Sequence, residues 1–309
     1  MMASKTMRAV RIHQYGGADQ LKLEDAPRPE PGAGEVLVRV VACGVNPADW
    51  KMRQGMFKGF MELPMPWTPG LEGAGVVETV GAGVTDFKPG DAVFGSMNAS
   101  YAQYVVVPVS DLALKPAALP FAEAASVPVG ALTGWGAVEA ADIKPGQRVF
   151  VQGAAGGVGL FAAQLARVKG AQVIGTSSAV NLDFVRSLGV EAIDYDAAPF
   201  ETVVHDVDVV IDTVGGDVLQ RSWQVLRPGG LLVTVAGRIT DADAKAPGRR
   251  GKSASHAPAS NLVAIGELIT AGKLTPAIQA SFPLSEAQAA QQLCETGHGR
   301  GRIILNIGE

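Results

Sequence analysis

A glycine-rich turn between a β-branched apolar run and an amphipathic helical stretch is the part of this sequence best equipped for chemistry. Residues 148–152 (RVFVQ) run into GAAGGVG at 153–159, and LFAAQLARV follows with apolar side chains at helical spacing. A turn of this kind opening a helix offers backbone N–H groups and the positive end of the helix dipole to a phosphate. Side chains larger than alanine would hold the backbone away from it. The spacing Ala154, Gly156, Gly159 reads as G-x-G-x-x-G with alanine in the first place. Ala154, Ala155, Gly156, Gly157, Val158 and Gly159 are therefore the candidate contacts for a dinucleotide pyrophosphate. A purely structural strand-to-helix turn is the alternative.

The second informative feature is a missing acid. About 20 residues beyond such a turn, NAD sites place Asp or Glu on the ribose 2′-hydroxyl. Here the second strand ends in Thr176, Ser177 and Ser178, and the first acid, Asp183, already lies in the next helix. Hydroxyls can donate to a 2′-phosphate and no carboxylate repels it, so NADPH is expected rather than NADH. No Lys or Arg stands in this loop. The balancing charge has to come from elsewhere, with Arg300 or the Arg249–Arg250 pair as candidates. Ser177 and Ser178 read alternatively as caps of the following helix. Gly215 and Ala236 end two further strands on the side where such sheets bind ligands.

The elements needed to position these residues follow from periodicity. Up to about Leu119 the chain reads as short strands broken by turns such as Pro31-Gly32 and Pro89-Gly90-Asp91, which predicts a small β-barrel or partly open β domain. After Pro120 strand and helix alternate. Strands are predicted at 148–152, 172–176, 191–194, 207–215 and 231–236, and helices at 157–169, 181–188 and 217–226. That order implies a parallel, doubly wound sheet. Helices at 261–274 and 285–295 and a strand at 302–307 close the chain. One strand cannot stand alone, so the last should return to the N-terminal β domain. The division is thus 1–120, 121–258 and 259–309, with the third part rejoining the first.

Bulk composition narrows the classes. At 309 residues two domains are expected, and 47% hydrophobic with 18% charged residues is ordinary for a globular chain. A formal net charge of −4 argues against a nucleic-acid partner. Cys43 and Cys294 have no metal-ligand spacing and exclude a disulfide scaffold. With no spanning apolar run and no apolar leader, the expectation is a soluble cytoplasmic protein without a membrane partner.

Several stretches together resemble a known family: EVLVRVVACGVNPADWKMRQG, GLEGAGVVETVGAGVTDFKPGDAVFG, GQRVFVQGAAGGVGLFAAQLAR, RSLGVEAIDY, FPLSEA and GHGRGRIIL. In order and over nearly the whole length, the chain resembles the zinc-independent quinone-oxidoreductase and enone-reductase branch of the medium-chain dehydrogenase/reductase superfamily. The resemblance implies the fold class α/β, a Rossmann doubly wound parallel sheet plus a GroES-like β-barrel domain built from both chain ends. It also implies NADPH-dependent hydride transfer to quinones or to the C=C bond of α,β-unsaturated carbonyls, on a small apolar electrophilic substrate, and a possible homodimer. The polar stretch Ala244–Ser260 stands where the resemblance leads us to expect a sheet-edge strand that commonly builds that dimer.

The same resemblance carries individual residues. Asn46 and Leu71 occupy the places where zinc-dependent members hold a ligand Cys and His, and neither can replace thiolate or imidazole, so no metal is expected. Asn46 and Lys51 match an NPxDxK-like motif and are the candidate catalytic residues, the first as a donor toward a developing enolate. A turn or cap role for Asn46 and a solvated surface role for Lys51 are the plain alternatives. Thr133 resembles the threonine beside the nicotinamide, and Tyr195 flanks the adenosine or is an ordinary strand-end aromatic. Met56 and Phe57 stand where enoyl thioester reductases have a proton-donating Tyr. That activity, and a non-catalytic NADPH-binding sensor or structural protein, are the competing functions.

Overall fold

The computed structural model describes residues 5–240 and 248–308. In chain order its strands and helices are β1 (Thr6–Arg11), β2 (Lys22–Pro27), β3 (Glu35–Val45), α1 (Pro47–Arg53), β4 (Glu72–Val80), β5 (Ala92–Ser96), β6 (Tyr104–Pro108), β7 (Leu112–Leu114), α2 (Phe121–Ala125) and α3 (Pro128–Ala141). There follow β8 (Arg148–Gln152), α4 (Gly159–Val168), β9 (Gln172–Ser177), α5 (Leu182–Ser187), β10 (Glu191–Asp194), β11 (Val207–Asp212), α6 (Gly216–Ser222), β12 (Leu226–Thr234) and β13 (Arg250–Ser253). Last come α7 (Leu262–Thr270), β14 (Ile278–Pro283), α8 (Ala287–Glu295) and β15 (Arg302–Asn306).

The alternating segment forms a six-stranded parallel sheet in the order β10-β9-β8-β11-β12-β13. Its central strands are apolar on both faces because both are covered. Val149, Val151, Val209, Ile211 and Val233 share a core with Leu132, Phe161 and Val185 from α3, α4 and α5. Phe150, Val210 and Leu232 point the other way, onto Leu219, Trp223 and Phe200. The chain winds outward from β8 to β10, then returns to place β11 on the other side of β8. That reversal opens a crevice at the carboxyl ends of β8 and β11, where sheets of this kind bind ligands.

The second sheet runs β14-β15-β3-β4-β5-β7, with β6 also pairing β3. The eleven-residue β3 bends through two register shifts against β4, so its first half pairs β6 and its last residues pair β15. β14 and β15, from the third part of the chain, thus join the sheet built by the first. The helix α2 lies past Pro120 yet packs on β3 and β4, so the chain changes domain between α2 and α3.

Local departures from the sequence reading have physical causes. The helix after the glycine turn starts at Gly159 rather than 157, because residues 156–158 are still turn. Strand β12 begins at Leu226, running extended through Pro228-Gly229-Gly230, and β11 pairs it across a register irregularity between Val207 and Val209. Within the polar stretch Ala244–Ser260, whose residues 244–247 lie outside the described residues, β13 forms after all. It is an edge strand, and exposed Arg250, Lys252 and Ser253 suit an edge.

Candidate functional site

The glycine turn is built around Gly153, at φ +71°, where the chain leaves β8. Gly153, Gly156 and Gly159 therefore make the turn, and Ala154 is not its first conformationally special residue. Ala154 is fully buried against β9, which accommodates it with Gly175; a Cβ there would come within 2.4 Å of the alanine methyl. Gly159 is needed for close approach, since a Cβ on it would stand 2.0 Å from the Gly153 carbonyl oxygen. Among the described residues the N–H groups of Gly157, Val158 and Gly159 donate to no backbone carbonyl. They are orphan donors at the start of α4, the arrangement that receives phosphate.

The strand ends beside this turn are polar and tightly tied. Thr176 is buried; its hydroxyl donates to Gln152 Oε1 at 2.7 Å and accepts from Gly153 N–H at 3.0 Å. It holds the turn and is not open to a ligand. Ser177 is buried while Ser178 is partly open, and the Ser178 hydroxyl accepts from Asn181 Nδ2 at 3.1 Å. Tyr195 projects at the end of β10, its N–H donating to the Ser177 carbonyl at 3.2 Å. Gly215, at φ +80°, follows β11, and its N–H donates to Asp212 Oδ1 at 2.9 Å. Asp212 Oδ2 accepts from Thr234 at 2.6 Å, while Ala236 N–H donates to that same hydroxyl, so one buried carboxylate shapes both strand ends.

The second domain presents a buried polar cluster to the turn. Asn46 caps α1, and its N–H donates to Asp49 Oδ2 at 2.8 Å, the acidic half of a capping box. Its Nδ2 donates to Glu72 Oε1 at 2.9 Å, which fixes which way the amide points. Asn46 Oδ1 is then left buried without a partner. Glu72 Oε2 accepts the Val129 N–H at 2.7 Å, an orphan donor in the first turn of α3. Gly44 makes room for this carboxylate; a Cβ there would lie 2.3 Å from Glu72 Oε1.

Arg302 completes the cluster. Its Nε lies 3.1 Å from Glu72 Oε1, but without hydrogen-bond geometry, so Nε and Nη2 are buried and unsatisfied. The guanidinium sits against Gly157, where a Cβ would meet Nη1 at 2.8 Å. Gly301 beside it donates its N–H to the Ala155 carbonyl at 2.7 Å. A buried guanidinium with spare donors, facing a turn with orphan N–H groups, fits a bridging pyrophosphate anion.

Below Asn46 the cluster continues into the β domain. Tyr101 donates its hydroxyl to Asp49 Oδ2 at 3.2 Å. Burial drives the Asp49 carboxyl up to about 7, with Glu72 adding repulsion. Burial likewise raises the Tyr101 hydroxyl and the Cys43 thiol far above their ordinary values, so Cys43 is an inert apolar residue here. Thr133 lies one turn along α3 from Val129, and its hydroxyl is 3.1 Å from His256 Nδ1. Partial burial lowers the pKa of His256. Lys51 lies 5.5 Å over the Trp50 ring, and its ammonium has no carboxylate partner among the described residues.

Through Glu72 and Arg302 the structure brings Asn46, the start of α3 and the glycine turn together, with Thr133 one turn further along α3, while Ser178 and Tyr195 stand just past the ends of β9 and β10. Sequence reading did not find Glu72, Arg302, Asp49, Asp212 or His256 as site residues. A signal did exist for Glu72: an acid directly after Leu71 in GLEGAG, at the head of a run that is apolar and glycine-rich through Val77. At the two positions where zinc-dependent relatives hold ligands stand the bonded amide of Asn46 and the aliphatic Leu71. Among the described residues no cluster of three or more His, Cys, Asp or Glu could hold a metal, and no helix is long and apolar enough to cross a membrane.

Comparison with known proteins agrees with this geometry. The alcohol dehydrogenase GroES-like domain family matches residues 32–117, and the zinc-binding dehydrogenase family matches 188–305. The chain is 36% identical to the NADPH-dependent alkenal/one oxidoreductase of Arabidopsis thaliana, covering 97% of this chain and 80% of that protein. It is 32% identical to the quinone oxidoreductase of Mus musculus, covering 97% and 98%. The quinone oxidoreductase structure from Coxiella burnetii superposes with a TM-score of 0.91 at 35% identity, over 98% of this chain and all of that one. With a parallel sheet, a glycine turn and a β domain that all correspond, the chain belongs to the medium-chain dehydrogenase/reductase superfamily, on the branch of the quinone oxidoreductases and enone reductases.

Proposed function

We propose that this protein is an NADPH-dependent reductase of quinones or of the C=C bond of α,β-unsaturated carbonyls, working without a metal. The observation that carries the reading is the pairing of the orphan N–H groups of α4 with the buried, under-bonded guanidinium of Arg302, beside Asn46 rather than a metal-ligating side chain. NADPH is favoured over NADH by Ser177 and Ser178 where an NAD site would carry an acid, and by the NADPH dependence named for the Arabidopsis relative.

When bound, the reduced nicotinamide supplies the hydride. The chain's own residues do the rest. The α4 amides and Arg302 hold the pyrophosphate and so set the cofactor's position along the crevice. Thr133, braced by His256, borders the crevice one turn from the Glu72-bound start of α3. Glu72 takes one hydrogen of the Asn46 amide and leaves the second free to meet an acceptor's carbonyl oxygen as negative charge develops there. With the metal-ligand positions filled by Asn46 and Leu71, alkoxide stabilisation by a Lewis acid has no donor set, which favours activated alkenes and quinones over simple alcohols. The segment after α1 exposes Met56, Phe57, Phe60 and Met61, which suits an apolar acceptor, and carries no Tyr of its own.

The test is absorbance-monitored NADPH oxidation with a panel of quinones, short enones, enoyl thioesters and simple ketones, with and without a strong chelator. Turnover of the first two classes, indifferent to chelator, is expected. Tight NADPH binding without turnover of any acceptor, or abolition by chelator, would overturn the proposal.

A further inference from the structure

We infer that Arg300, carried on the C-terminal strap before β15, supplies the positive wall of the subsite for the nucleotide's 2′-phosphomonoester, so that this phosphate is gripped between the two domains. This rests on the NADPH reading above and adds the missing cation, which the loop after β9 does not contain.

The argument is one of placement. The backbone next to Arg300 is tied down over the glycine turn: Gly301 N–H donates to Ala155 at 2.7 Å, and Gly301 bridges Gly156. From that anchor the side chain stretches sideways until its Cζ stands 5.3 Å over the ring of Phe184. Phe184 lies in α5, the helix that follows Ser178 through a single 3-10 turn. β8 and β9 are adjacent and parallel, so a nucleotide with its pyrophosphate on the turn after β8 must set its ribose at the end of β9. The Arg300 side chain, resting on Phe184 in the helix after β9, reaches toward that end. The opposite wall is Tyr195, exposed at the end of β10 and linked through its N–H to Ser177.

Among the described residues, this corner offers an anion one uncommitted cation. Arg300 is exposed and makes no ion pair among the described residues. Asp183 is engaged with Arg186 at 2.9 Å, and Asp194 turns its carboxylate to the Asp196 N–H at 3.0 Å. The other sequence candidates are in the wrong place. Arg250 opens β13 and binds the Gly229 carbonyl, while Arg249 stacks on Trp223. Both stand at the amino end of the parallel sheet, opposite the glycine turn. Arg238 follows β12, three strands from β9, about 14 Å at the usual strand spacing. Arg167 is occupied by the Leu188 carbonyl.

The test is binding, read by calorimetry or by quenching of intrinsic fluorescence, with adenosine 2′,5′-bisphosphate, 5′-AMP, NADPH and NADH as probes on the full chain. Arg300→Met keeps the aliphatic contact with Phe184 and removes the charge. It should weaken adenosine 2′,5′-bisphosphate and NADPH by about 10- to 100-fold, the worth of one charge-assisted contact, and leave 5′-AMP and NADH within about twofold. Added salt should weaken adenosine 2′,5′-bisphosphate less for the variant than for the wild type. An R300M protein that keeps its preference for the 2′-phosphate overturns the clamp and leaves the NADPH reading intact, as does equal loss for all four probes. A wild-type protein that binds 5′-AMP as tightly as adenosine 2′,5′-bisphosphate overturns the NADPH reading and the clamp together.

Discussion

Replacing Glu72 by Gln tests whether the buried cluster behaves as one electrostatic unit. The carboxylate is fully buried and faces three groups: the Asn46 amide at 2.9 Å, the Val129 N–H at 2.7 Å and the Arg302 guanidinium at 3.1 Å. Gln has nearly the same shape but no charge, and only one of its two terminal atoms accepts. Arg302 would lose its counter-charge inside the protein, a change that costs about 3–5 kcal/mol when one partner of a buried pair is removed. The new NH2 would also face either Asn46 Nδ2 or the Val129 N–H, adding about 1–3 kcal/mol for an unsatisfied donor. These penalties share atoms and will not add, so about 3–5 kcal/mol in all is expected from urea unfolding of the cofactor-free protein. The double variant Glu72→Gln with Arg302→Met should fall short of the sum of the single losses by at least about 2 kcal/mol, because the stranded charge is gone. A Glu72→Gln loss below about 1 kcal/mol, or additive singles, would refute the picture.

Other perturbations follow from the same geometry. Gly159→Ala puts a methyl 2.0 Å from the Gly153 carbonyl; α4 must retreat, costing about 1–3 kcal/mol and dinucleotide affinity, and a variant titrating NADPH like wild type would show the turn to be looser than drawn. Asp49, raised from 3.8 to about 7 by burial, binds its proton more tightly folded than unfolded. Its contribution is therefore fully present below about 4 and lost as pH rises to about 7, by at most about 4 kcal/mol at about 1.36 kcal/mol per unit. Asp49→Asn should flatten that part of the stability profile, and an unchanged slope would absolve Asp49. Lys51→Met should leave stability within about 0.5 kcal/mol yet lower kcat/KM for the acceptor about tenfold; unaltered turnover takes Lys51 out of the site. Arg53→Met removes a buried guanidinium that joins α1 to Gln291 at 2.8 Å, the Gly16 carbonyl at 2.7 Å and Glu295. A loss of about 3–5 kcal/mol is expected, and a thermal melt within a degree of wild type would contradict it.

The legible parts of this protein are those whose cause is local. β8 and β10 span the same residues, 148–152 and 191–194, that their local pattern predicts, and α4 declares itself by apolar helical spacing beside a glycine turn. What escaped reading has its cause elsewhere in the chain. The helix α3 carries glycine at 130, 134 and 136 and has no polar face, because it is wedged between both domains; its glycines admit the Gly157 carbonyl, the α4 backbone at Ala162 and the Ser255 carbonyl. Such a stretch carries no amphipathic periodicity from which a helix could be read. β13 is polar because it is an edge. Glu72 and Arg302 come from opposite ends of the chain, and only the return of β15 to β3 makes them neighbours. The left-handed residue of the turn is Gly153, one place before Ala154, and the burial of Ala154 depends on Gly175 in the next strand.

In the metal-free reading proposed above, the orientation of the Asn46 amide has to be set by neighbouring side chains. A thiolate and a neutral imidazole would be held in place by the ion they bind. An amide has no such anchor, and unrestrained it could turn either end outward. Here the carboxylate of Glu72 decides the matter: it can only accept, so Nδ2 must face it. Glu72 in turn is fixed by the first turn of α3, the helix that carries Thr133 into the crevice, and by Arg302, which leans on the glycine turn. The orientation of the Asn46 amide, the start of α3 and the cation against the glycine turn are therefore set by one side chain. In the proposed reaction, phosphates bound at Arg302 would draw on the same charge that positions Asn46, coupling cofactor binding to the orientation of that amide.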